Sequence, residues 1–99
     1  MKPPLQVFTE IRELFKDRKN WTSGAWARDK DGRECDINDR RACRWCLSAA
    51  IELKAGDQSA AVKNVLYELM PGSIVGKNDD EGYDAVMALL DKAIAHVQK

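Results

Sequence analysis

The sequence predicts a mainly α fold: a small four-helix domain with a short β-hairpin, or an ordered hairpin-like loop, between the first two helices. Three observations lead there. Apolar residues recur at spacings of three and four in four separate segments. Prolines and glycines fall at the ends of those segments. The helical period is lost between Asn20 and Asn38, around the turn-forming run Asp29-Lys30-Asp31-Gly32.

Each element follows from local chemistry. The first helix starts just after Pro3-Pro4, because proline suits a first turn whose amides have no intrahelical partner. Val7, Phe8, Ile11, Leu14 and Phe15 share its apolar face, and it is expected to fray near Lys19-Asn20. Ala25 to Arg28 and Arg33 to Asp36 then flank the Asp29 to Gly32 turn as two arms of a hairpin. A lone hairpin is marginal in water, so Trp21 and Trp26 are expected to anchor it on the helices.

The second helix is expected from about Asp39 to Lys54, capped by Asp36 or Asn38 and ended by Gly56. Ala42, Cys46, Ala49, Ala50 and Leu53 cluster on its wheel, with Cys43, Leu47 and Ile51 alongside, which makes it the central helix. Asp57 is the expected cap of a third helix, Gln58 to Met70, with Ala61, Val62, Val65, Leu66 and Leu69 inward and Pro71-Gly72 as its stop. Residues 73–81 read as a loop. The fourth helix, Gly82 to Gln98, follows an acidic run, Asn78-Asp79-Asp80-Glu81, that favours its positive end.

Bulk properties bound the function. A chain of 99 residues supports one core, so residues 1–99 form a single domain. Sixteen basic side chains match sixteen acidic ones, leaving no global field to draw in nucleic acid or a membrane surface. The balance is uneven: residues 1–50 carry 11 basic and 8 acidic side chains, and residues 51–99 carry 5 and 8. No run approaches the roughly 18 apolar residues of a membrane span. The first residues have no apolar stretch resembling a signal peptide. Three cysteines, an odd number, suit a reducing cytoplasm.

From Trp21 onward the residues resemble a known family. Trp21-Thr22-Ser23-Gly24-Ala25-Trp26-Ala27-Arg28-Asp29, then Gly32, then Arg44-Trp45-Cys46-Leu47 are similar to a family of small bacterial and phage proteins, domain of unknown function 6197. Asn78-Asp79 and the segment from Val86 to Ile94 resemble its closing part, and Ser48 stands where that family usually has glycine. The resemblance implies a helical fold and a phage or mobile-element setting. It implies no activity.

Several constellations could carry chemistry. Cys35, Cys43, Cys46 and His96 are the one set with zinc-ligating side chains, but a second paired motif is lacking and Cys46 sits on an inner face. Buried thiols, with no metal and no cofactor, are the expected reading. Asp29-Lys30-Asp31-Gly32 opens like a calcium loop, yet position twelve is Arg40 rather than a bidentate Glu. Arg28, Asp29 and Asp79 are expected to form a structural polar network, an internal ion pair or backbone-capping set that pins the hairpin and the loop before the fourth helix; the competing reading is a small enzyme built around the same three. No catalytic motif accompanies them, so no catalytic residue is assigned. The leading expectation is a non-enzymatic protein-interaction module, a phage or mobile-element accessory or inhibitor of a host or defence protein, acting in the cytoplasm. Trp26, Arg28, Arg41 and Arg44 are its expected partner-binding side chains. The alternative is a nucleic-acid binder using the basic first half, with Trp26 or Trp45 stacking on bases.

Overall fold

The computed structural model describes residues 2–98. Four longer helices, α1 (Pro4–Phe15), α2 (Leu47–Ala55), α3 (Ser59–Leu69) and α5 (Tyr83–Val97), surround one apolar core, with a one-turn helix, α4 (Ile74–Gly76), before the last. Val7, Phe8, Ile11 and Phe15 of α1 are buried against α5, which contributes Val86, Leu89, Leu90 and Ala93. α2 fills the space between α1, α3 and α4 and buries Leu47, Ala49, Ala50, Ile51 and Ala55. A mainly helical bundle with a hairpin between the early helices is therefore what the chain forms. No helix among the described residues is long and apolar enough to cross a membrane.

The hairpin is present and gains a third strand. β1 (Ala27–Arg28) pairs antiparallel with β2 (Glu34–Cys35) and with β3 (Arg44–Trp45), giving the order β2-β1-β3. The expected turn chemistry closes it. Asp29 Oδ1 accepts from the amides of Asp31 and Arg33 at 2.9 and 3.0 Å, and Gly32 takes a φ of +84°, open to glycine without strain. These backbone donors hold the Asp29 carboxyl below the usual carboxylate range, the Arg33 amide foremost.

β3 corrects the second helix. It starts at Leu47, not Asp39, and neither Asp36 nor Asn38 caps it. Residues 39–46 are turns and strand because Asp39 closes a local turn, its Oδ1 accepting from the Arg41 amide at 2.8 Å, and Arg44–Trp45 gain ladder partners on β1. Cys46 is extended and its sulfur accepts from the Ala49 amide at 3.4 Å, so the thiol itself caps α2. The helix is shorter than expected, but it keeps its central position. Gly56 ends it at φ +54°, as expected.

Smaller corrections have similar causes. Asp57 lies within a 3-10 turn (Gly56–Gln58), and α3 begins after it with no side-chain cap. Ala61 is exposed; Val62 and Leu66 carry the inner face of α3. The segment expected as a loop is helical, since Ser73 Oγ accepts from the Gly76 amide at 2.8 Å and starts α4, which widens into a π turn over Lys77–Glu81. α1 stops at Phe15, and a 3-10 turn (Arg18–Asn20) capped by Asp17 follows.

Candidate functional site

One buried side chain ties the sheet to the helices. Asn78, 1% exposed, sits in the π turn. Its Oδ1 accepts from Trp21 Nε1 at 2.7 Å and from the Leu47 amide, at the start of α2, at 3.0 Å. Its Nδ2 donates to the Thr22 carbonyl at 3.1 Å and to Asp79 Oδ1 at 2.8 Å. Both ends of the amide are thus engaged, which removes the cost of burying it. Asp79 Oδ1 also accepts from the Gly24 amide at 3.1 Å, fixing the loop that leads to Trp26.

Arg28 serves the same frame from the other side. Its Nε donates to Thr22 Oγ1 at 3.0 Å, Nη1 to the Gly32 carbonyl at 2.9 Å, and Nη2 to the Ser23 carbonyl at 3.3 Å. A planar fork reaching three acceptors holds both ends of the 22–32 segment together. Arg28, Asp29 and Asp79 therefore all brace this region, through backbone groups, the Thr22 hydroxyl and the Asn78 amide, and among the described residues they form no ion pair with one another.

The frame presents Trp26. Its ring is 51% exposed, whereas Trp21 and Trp45 pack against the core. Trp21 meets the Tyr83 ring edge-on at 5.7 Å, and Trp45 Nε1 donates to the Ile37 carbonyl at 3.1 Å. On one side of Trp26 lies an open cleft of about 920 Å³, bordered by residues 24–27 and 34–39 together with Arg41 and Glu52. On another lies a hollow of about 160 Å³ bordered by Cys46, Asp79 and the 51% exposed Val75. Lys63 Nζ of α3 stands 6.0 Å from the centre of the Trp26 ring and 4.0 Å from Glu52 Oε2.

Of the four side chains expected to meet a partner, Trp26 and Arg41 border the cleft; Arg28 and Arg44 do not. Arg41 is tied to its neighbour, with Nε and Nη2 donating to the two oxygens of Asp39 at 3.1 and 3.0 Å. This fork, with the Arg41 amide, draws the Asp39 carboxyl down to about 2. Arg44 lies opposite Arg28 across the sheet.

The cysteines are dispersed in role. Cys46 is buried and Cys35 and Cys43 are half-buried, while His96 is exposed in the last turn of α5. Burial pushes the Cys46 and Cys35 thiols up, away from the reactive thiolate form. Among the described residues no three His, Cys, Asp or Glu side chains gather in a way that would hold a metal ion.

Sequence reasoning missed the hub and the cleft's acidic rim. Asn78 was hidden at the head of an acidic run that reads as solvated. Its neutral amide among Asp79, Asp80 and Glu81 is the signal that distinguishes it. Glu34 and Glu52 read as ordinary surface charges, and Asp36 as a helix cap, until the fold places them on one cleft.

Both resemblance segments meet at this hub: Trp21 and Leu47 come from the first, Asn78 and Asp79 from the second. The model of a family described as a family of unknown function (DUF6197) matches residues 1–96. The chain belongs to that family. No curated protein and no solved structure matches it.

Proposed function

We propose that this DUF6197 protein is a non-enzymatic protein-interaction module that binds its partner through the face centred on Trp26. The observation that carries the reading is the contrast among the three tryptophans. The indole N–H groups of Trp21 and Trp45 donate inside the protein, while Trp26 is half exposed between two hollows. An aromatic ring held by a rigid frame loses little entropy on binding and is a favoured anchor at protein interfaces. Arg28, the residue an enzyme would need free, has its donors on neighbouring protein oxygens, which supports a framing role.

A phage- or mobile-element-encoded accessory acting in the host cytoplasm, occupying a host or defence protein, is the setting we attach to this module. Support for that setting is the family resemblance alone. The nucleic-acid alternative draws less support, because the ring best placed to stack on a base is bordered by Glu34, Asp36, Asp39 and Glu52.

The test compares wild type with Trp26→Ala in affinity capture from host cells, followed by binding to the recombinant partner so identified. Loss of a hot spot of at least about 2 kcal/mol weakens that binding by roughly thirtyfold. A partner retained equally by Trp26→Ala, or salt-steep oligonucleotide binding in its place, would overturn the reading.

A further inference from the structure

We infer that the cleft takes an extended segment of a partner protein bearing lysine or arginine, laid along the open edge of β2 and against the Trp26 ring. This rests on the interaction-module reading and adds the partner's chemistry. Three observations converge on it.

The sheet has one open edge. β3 is covered on its outer side, where Trp21 bridges Trp45 and the Thr22 amide donates to the Trp45 carbonyl at 3.1 Å. Among the described residues β2 has β1 as its one strand neighbour, and both of its residues, Glu34 and Cys35, line the cleft. An extended segment can add main-chain hydrogen bonds at such an edge, although a two-residue strand supplies few of them. Side-chain contacts must therefore provide most of the affinity.

Charge selects the occupant. Glu34, Asp36, Asp39 and Glu52 border the cleft, against Arg41 alone. Counting Lys63 over the ring, carboxylates still outnumber cations. Asp39 is neutralised by Arg41 and Glu52 stands near Lys63, but among the described residues Glu34 and Asp36 have no ion-pair partner. These two alternate about Cys35, a spacing that puts both on one side of an extended chain. Cationic side chains two apart on an incoming strand match that spacing. Complementary charge of this kind sets partner choice and association rate more than raw affinity.

The aromatic wall fits the same occupant. Lys63 Nζ stands 6.0 Å from the centre of the Trp26 ring, within the range at which a ring attracts a cation, and the residue is half exposed to a further one.

The test selects a random library of short linear peptides against the full chain and, separately, against Trp26→Ala. The expected peptides depend on Trp26 and carry Lys or Arg at alternate positions. The best of them, synthesised, should bind the double variant Glu34→Gln/Asp36→Asn at least about threefold more weakly, and lose affinity as salt rises. Both positions are exposed, so folding is not at issue. Trp26-dependent peptides that are neutral or acidic overturn the cationic occupant while leaving the module standing. Recovery of no Trp26-dependent peptide, or undiminished binding by the double variant, also overturns it; a folded partner captured through Trp26 would then still support the module.

Discussion

Replacing Asn78 with alanine should lower the unfolding free energy substantially, and the size of the effect follows from what its amide holds. Three groups lose their partner: the Leu47 amide, the Thr22 carbonyl and the Trp21 indole N–H. Leu47 is 0% exposed and Thr22 8%, so water reaches the first two poorly. A buried group left unsatisfied costs about 1–3 kcal/mol. Trp21 is only partly buried and recovers much of its loss from solvent. The sum is about 2–6 kcal/mol, against a total stability of about 5–15 kcal/mol for a domain of this kind. Urea unfolding followed by far-ultraviolet circular dichroism measures it. Trp21→Phe, which removes the donor and leaves a smaller aromatic ring, should cost about 1 kcal/mol for the lost hydrogen bond, with any loss of packing added to it. Asn78→Asp should not rescue, because it sets a carboxylate oxygen against the Thr22 carbonyl and against Asp79, where the amide now donates at 2.8 Å. A loss below about 1 kcal/mol for Asn78→Ala, or wild-type stability for Asn78→Asp, refutes the hub.

Other outcomes test the frame around it. Arg28→Ala should cost about 1.5–3 kcal/mol in thermal unfolding, and Arg28→Lys should not restore it, because an ammonium cannot span three acceptors in one plane. Gly24→Ala should cost about 1–2 kcal/mol through backbone strain at φ +76°, since a Cβ there meets Arg28 Nη2 at an ordinary 3.6 Å; Gly24→Asn should cost less. The Asp39 carboxyl should titrate near 2 by NMR, and in Arg41→Ala should return toward 3.8. With its folded value lowered, the Asp39–Arg41 contact is fully present above 3.8 and fades as pH falls toward 2, so the β2–β3 connection should loosen in that window.

Long periodic segments were legible, and short ones were not. α1, α3 and α5 carry enough apolar repeats to fix their faces from spacing alone, and the Asp29-to-Gly32 turn announces itself through side chains that cap their own backbone. Residues 39–46 misled because Ala42 and Cys46 happen to continue the period of α2, while β3 is two residues long and shows no alternation. Their conformation is set by β1, a partner distant in sequence. α4 is illegible in the sequence because its helical start depends on one Ser73 hydroxyl and its burial on Ile74. At the site, the sequence leaves two readings open for Arg28, binding group or structural brace, because its acceptors on Thr22, Ser23 and Gly32 come together only in the folded loop. Which carboxylates border the cleft depends on bringing Glu52 of α2 beside β2, and no local pattern encodes that.

The proposed division of labour is that Arg28 and Asn78 hold the frame while Trp26 meets the partner. Measuring unfolding free energy and partner affinity together on Trp26→Ala tests it most directly. Because the ring is half exposed, stability should change by less than about 1.5 kcal/mol, while affinity for the captured partner falls by about thirtyfold or more. Unchanged affinity, or a loss of binding matched by a comparable loss of folding, contradicts it.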